Sequence, residues 1–132
     1  MTKDEIEAIF RSEFSPLLGK FRVHDLTLDN APNEHGQEFN RPGVCVFWKQ
    51  DAGVTGVIKV GRSLCNAKAR ALQHITDNTR NEHLQMATLK NDAECHLLLF
   101  TVPCDHDIHW VLSLEHFLER KLDLVIPANR NG

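Results

Sequence analysis

Val57-Ile58-Lys59-Val60-Gly61-Arg62-Ser63, with Asn66, Arg70 and His74 after it, is the stretch whose reading decides the fold. A β-branched run ends on a glycine, a polar loop follows, and a helix opens. Arg70 and His74 stand four residues apart, so a guanidinium and an imidazole share one helical face. Upstream, Gly43-Val44-Cys45-Val46-Phe47-Trp48 reads as a second short strand. Asp51-Ala52-Gly53 and Thr55-Gly56 lie between the two and supply turn chemistry. The spacing predicts an antiparallel hairpin with a loop longer than two residues.

On the N-terminal side, Thr2 and Glu5 fit a capping box, and Ile6, Ile9, Phe10, Phe14 and Leu17 recur at helical spacing. A helix is expected over about 3–15, ending near Pro16. Phe21 to Leu28 offers an extra strand with Phe21 and Val23 on one face, interrupted by Asp25. Asp29 to Pro42 is a loop rich in Asn, Pro, Gly and Glu. After Gly61, a helix from Ser63 or Asn66 to about Thr76 buries Ala67, Ala71, Leu72 and Ile75. Asn81 to Lys90 reads as a shorter helix with Leu84, Met86 and Leu89 apolar. Cys95 to Val102 is a nearly continuous apolar run stopped by Pro103, which suits a central strand covered on both faces. Asp107 to Asp123 carries a broad apolar stripe (Ile108, Val111, Leu112, Leu114, Phe117, Leu118, Leu122) and predicts a helix. The tail from Ile126 to Gly132 is irregular.

These elements predict an α+β fold: a small antiparallel, mainly three-stranded sheet flanked by helices. Residues 1–42 form an N-terminal helix and loop extension, and 43–132 the core domain. The 132 residues set a prior of one domain with a modest core. A net charge of −3 means that the whole molecule does not attract polyanions, so such a site needs a local basic face. Arg62, Lys68, Arg70 and Arg80 cluster around the first core helix. The four cysteines (Cys45, Cys65, Cys95, Cys104) show no CxxC pair. With no signal peptide evident, reduced thiols in a cytoplasmic protein are expected. Leu97-Leu98-Leu99-Phe100 is the longest apolar run, too short for a bilayer. The grouping of Cys95, His96, Cys104, His106 and His109 lacks the tight paired spacing of a structural zinc site.

The order of motifs resembles the GIY-YIG nuclease superfamily over Gly43 to Asn129, about two thirds of the chain. Gly43-Val44-Cys45 resembles the first motif, with Cys45 at the tyrosine position. Lys59-Val60-Gly61 resembles the second, with Lys59 at the tyrosine position, as in some phage-associated and restriction-type branches. The family is named for two tyrosines, and this chain contains none. Arg70 falls at the family's helix arginine, one residue further from the glycine than is commonest, and His74 follows it as in several members. Glu115, with Leu118 after it, resembles the metal-binding glutamate, and Asn129 the late asparagine.

The resemblance implies divalent-metal-dependent hydrolysis of DNA phosphodiester bonds. One Mg2+ or Mn2+ on Glu115 polarises the phosphate. Arg70 stabilises phosphoryl charge, Asn129 positions, and Lys59 adds a cation. Arg62, Ser63, Asn66 and Lys68, around the strand–helix junction, are candidate substrate contacts. The base is the gap. A thiol at Cys45 could in principle take the role, since free cysteine titrates near pH 8.5 against about 10 for tyrosine, but thiols inside strands are usually inert. Lys59 needs strong desolvation to be basic, and His74 is the more natural candidate, because histidine ordinarily titrates near neutrality. Loss of a positioned acid–base group costs on the order of 10²–10⁴ in rate.

Plainer readings stand beside these. Cys45 is a core residue, Lys59 a solvated strand end, and Arg70 the partner of an acid such as Glu115. His74 is an exposed helix residue, Glu119 competes with Glu115 one turn on, and Asn129 belongs to a frayed tail. The functional alternative is a catalytically degenerate GIY-YIG domain that binds nucleic acid or a protein partner. An unrelated α+β module is the third reading. No reading involves a membrane.

Overall fold

The computed structural model describes residues 1–76, 89 and 92–125. Four strands, β1 (Arg22–Thr27), β2 (Gly43–Trp48), β3 (Val57–Ser63) and β4 (His96–Thr101), form one antiparallel sheet in the order β1-β4-β2-β3. The helices among the described residues are α1 (Lys3–Glu13), α2 (Ala67–Thr76) and α3 (Ile108–Lys121), with short 3₁₀ turns between elements. This is the α+β architecture expected from the pattern. The expected helix over 81–90 lies outside the described residues except for Leu89, which is buried.

The sheet has four strands where mainly three were expected. β1 is the addition, and it pairs with β4 along its whole length, from Arg22 opposite Thr101 to Thr27 opposite His96. Asp25 interrupts its apolar alternation, yet β1 is an edge strand, where a charge is tolerated and discourages stray pairing. There Asp25 accepts a hydrogen bond from Lys3 Nζ at 2.7 Å and lies 2.8 Å from His96 Nδ1.

The sheet has two covered faces. On one, α1 and α3 bury Ile6, Phe10, Val111, Leu114 and Leu118 against Val44, Val46, Val60, Leu98 and Phe100. Phe10 contacts Phe14, Phe21 and Phe100, with ring centroids 5.9, 5.5 and 4.9 Å away. Burying one such ring contributes roughly 1.5–3 kcal/mol, whereas an isolated helix the length of α1 is marginal in water. Packing therefore holds α1 in place, helped by the capping box in which Glu5 N donates to Thr2 Oγ1 and Thr2 N donates to Glu5 Oε2. Residues 1–42 thus supply an edge strand and part of this core layer.

On the opposite face, α2 and the 29–42 loop bury Ala31, Phe39, Ala67, Ala71 and Ile75 against Cys45, Phe47, Ile58, Leu97 and Leu99. The β2–β3 loop exceeds two residues, as expected, and turns through Asp51, Gly53 and Gly56, all with positive φ. At Gly56 a Cβ would lie 2.4 Å from Trp48 Nε1, so a side chain is excluded as well as strained. Among the described residues no helix is long and apolar enough to cross a membrane.

Candidate functional site

The pairing of β2 with β3 distributes the candidate residues. Cys45 lies opposite Gly61, Phe47 opposite Lys59 and Val44 opposite Arg62. Residues directly opposite one another share a face. Cys45, Phe47, Lys59 and Gly61 therefore face α2, while Val44 and Arg62 face α3. The register shifts beside Phe47, and Ile58 is the extra residue of this bulge, which lets both Val57 and Val60 join the α3-side core.

On the α2 side, the bare Gly61 backbone seats an imidazole. A Cβ there would lie 3.0 Å from His74 Nε2 and 3.3 Å from Cys45 Sγ. His74 also meets the Phe47 ring edge-on, with centroids 6.2 Å apart. Burial, then the charges of Lys59 and Arg70, pull His74 down to about 4. It is therefore a neutral imidazole at neutral pH, below the near-neutral titration expected of it, and a weak base. Cys45 is fully buried, and burial pushes its thiol up to about 12. The Gly61 backbone, Lys59 and Arg70 favour its ionised form, and Glu115 opposes it. Cys45 thus remains a protonated thiol and supplies no base at neutral pH, the plainer of its two readings.

Arg70 is exposed, and its Nη1 donates to Gln73 Oε1 at 2.7 Å. It borders an open groove of about 600 Å³ together with Ser63, Asn66, Leu72, Gln73 and Thr76. Two candidate contacts there are engaged in building the helix start. Ser63 Oγ accepts from the backbone N–H groups of Cys65 (3.1 Å) and Asn66 (2.9 Å), and Asn66 Oδ1 caps α2 by accepting from Ala69 N at 2.9 Å. Ala67 N donates to Arg41 O at 2.8 Å, so several of the first amides of α2 are already satisfied. Lys68 is 9% exposed, and its ammonium donates to the Glu34 carbonyl. It ties the 29–42 loop to α2, and the expectation of a substrate contact there meets a lysine held inside the fold.

Glu115 comes from the other face. It sits on α3 at 1% exposure, and its Oε1 lies 2.8 Å from Arg62 Nε. The contact is a close ion pair rather than an aligned hydrogen bond. Arg70 and Glu115 therefore approach the β2–β3 ribbon from opposite sides. Arg70 bonds Gln73 and Glu115 pairs with Arg62, while both charges are felt at Cys45. The sequence reading named Arg62 and Glu115 separately and missed their pairing, because strand alternation does not say which helix covers which face. Asn129 lies outside the described residues.

A divalent ion of the Mg2+ type takes near-octahedral oxygen ligands and keeps several waters. Glu115 offers a buried carboxylate with a guanidinium against it, which leaves little room for that shell. Among the described residues no three His, Cys, Asp or Glu side chains converge to hold a metal, the Cys95–His109 group included. Among the described residues, the surroundings of Glu115 do not fit the metal that the family resemblance implies. The chain matches no protein-family model, no curated protein and no solved structure. What the site does must therefore be argued from its own chemistry.

Proposed function

We propose that the chain is a GIY-YIG-like domain that engages the phosphodiester backbone of DNA, with its hydrolytic parts reduced. One observation carries this reading. Lys59 and Arg70 flank a neutral His74 seated on Gly61, at the positions where the resemblance puts the family's motif residues. Two cations near one imidazole, with Arg70 bordering an open groove, suit a phosphate backbone, which dominates protein–DNA affinity. The reduction of catalysis follows from the pKa values and the ion pair. Cys45 is a protonated thiol, His74 is a weak base, and Glu115 is already committed to Arg62.

The test is a salt titration of duplex DNA binding by fluorescence anisotropy. Each phosphate contact contributes about −0.9 to the slope of log K against log salt. Lys59→Ala with Arg70→Ala should lower the magnitude of the slope by about 2. A flat wild-type response ends the DNA reading and moves the weight to a protein partner.

One observation favours the second reading, a divalent-metal-dependent DNA endonuclease: the unprotonated imidazole beside two cations. It predicts nicking of supercoiled plasmid with Mg2+ or Mn2+ that Glu115→Ala abolishes. Nicking that survives this substitution belongs to a contaminant.

A further inference from the structure

Arg62 meets Glu115 through Nε, which is buried without a hydrogen bond. Arg62 Nε is buried against the carboxylate at 2.8 Å, yet the side chain as a whole is 36% exposed. Neither Nη is among the buried polar atoms that lack a hydrogen bond. Among the described residues the Arg62 contact to Glu115 runs through Nε, and neither Nη donates a hydrogen bond. A guanidinium held through Nε still offers its Nη1–Nη2 edge, whose parallel N–H groups match two phosphate oxygens. A buried carboxylate, in turn, is costly unless it is paired. Each group therefore meets the other's need: Glu115 has a counter-ion, and Arg62 has one end fixed.

We infer that Glu115 is a positioning residue for Arg62, and that Arg62 presents its outer edge to a backbone phosphate of the bound nucleic acid. The inference rests on the reading that this ribbon engages DNA. It gives the carboxylate a different task from metal binding: it orients a cation that belongs to the chain itself. Backbone binding is then independent of divalent ions. It also places a phosphate contact on the side of β3 opposite Lys59 and Gly61, so that the edge strand meets the backbone from both of its faces.

The sign of one substitution separates this from simple electrostatics. Glu115→Gln removes a negative charge, so an unspecialised acid would leave DNA affinity unchanged or increase it. A positioning role predicts the reverse, a loss of roughly 3–10-fold in EDTA, because Arg62 then swings freely. The Arg62 Nε–Hε cross-peak in a ¹H–¹⁵N NMR spectrum, slow to exchange in the wild type, should turn fast. Unchanged or tighter binding by the variant overturns the inference. So does a wild-type affinity that rises with Mg2+ or Mn2+ and loses that gain in Glu115→Gln, which would restore the metal-ligand role.

If Glu115→Gln fails to fold, Arg62→Lys against Arg62→Ala decides. The fork geometry predicts that lysine loses affinity nearly as fully as alanine, and full rescue by lysine sinks the idea. If the wild type binds no DNA, the functional reading falls by itself. The Hε response to inorganic pyrophosphate then judges the pair. A shift in the wild type that is lost in Glu115→Gln supports the positioned fork, and no shift in the wild type overturns it.

Discussion

The two faces of the sheet are built from different materials. The α1/α3 side holds interlocking phenylalanines and, at β3, the embedded ion pair of Arg62 with Glu115. On the α2 side, Ala67, Ala71 and Gly61 leave space, and the room is used by a thiol and an imidazole. Large rings contribute stability through buried area. Small residues allow close approach of helix to strand, which is what brings His74 and Arg70 to the ribbon. The first face anchors the N-terminal segment, and the second carries most of the groups with chemistry.

The contrast is open to attack, beginning with the largest effect. Phe10→Ala or Phe100→Ala should cost about 3–5 kcal/mol in urea unfolding, since each ring is at most 1% exposed. A loss near 1 kcal/mol would mean that the aromatic layer is not what holds α1. Next, Gly61→Val should cost about 1–3 kcal/mol by overpacking, because a Cβ already meets His74 Nε2 at 3.0 Å. The same variant should move the histidine off its seat and let its pKa rise towards the ordinary value, read by NMR titration. An unchanged titration would separate glycine from imidazole.

His74 itself gives a smaller, pH-dependent effect. The unfolded chain takes up a proton near pH 6.5, whereas the folded chain resists until about 4. Stability is therefore full above about pH 7, falls between those two values as pH drops, and flattens below the lower one. After discounting for partial exposure, the loss is on the order of 1–2 kcal/mol. Unfolding midpoints of His74→Gln should lack that slope, and an equal slope in both proteins would assign it to other groups. The mildest probe leaves stability untouched. Iodoacetamide at pH 8 should label Cys65 and Cys104, which are exposed, and spare Cys45 and Cys95, which are buried with thiols raised to about 12. Rapid labelling of Cys45 in the native protein would show that the α2 face opens.

Much of the frame was legible along the chain. The capping box at Thr2, the apolar, β-branched runs of Gly43–Trp48 and Val57–Val60, the apolar run before Pro103 and the stripe of the last helix all predicted their elements, because local patterns report burial directly. β1 was harder to read. Asp25 breaks its alternation, and only an edge position beside Lys3 and His96 accommodates the charge. The site was legible in part. Spacing put Arg70 and His74 on one helical face, and β3 carried Lys59, Gly61 and Arg62 in order.

The sequence by itself determined the repertoire: which residues form strands and helices, and which side chains carry charge, a thiol or an imidazole. Tertiary structure alone decided the pairings. It set Glu115 against Arg62, committed Lys68 to the Glu34 carbonyl, enclosed Cys45, and seated His74 on Gly61. The physical reason is that hydrophobic periodicity marks a buried face without naming what buries it. Protonation and ion pairing depend on the identity of that neighbour, which comes from elsewhere in the chain.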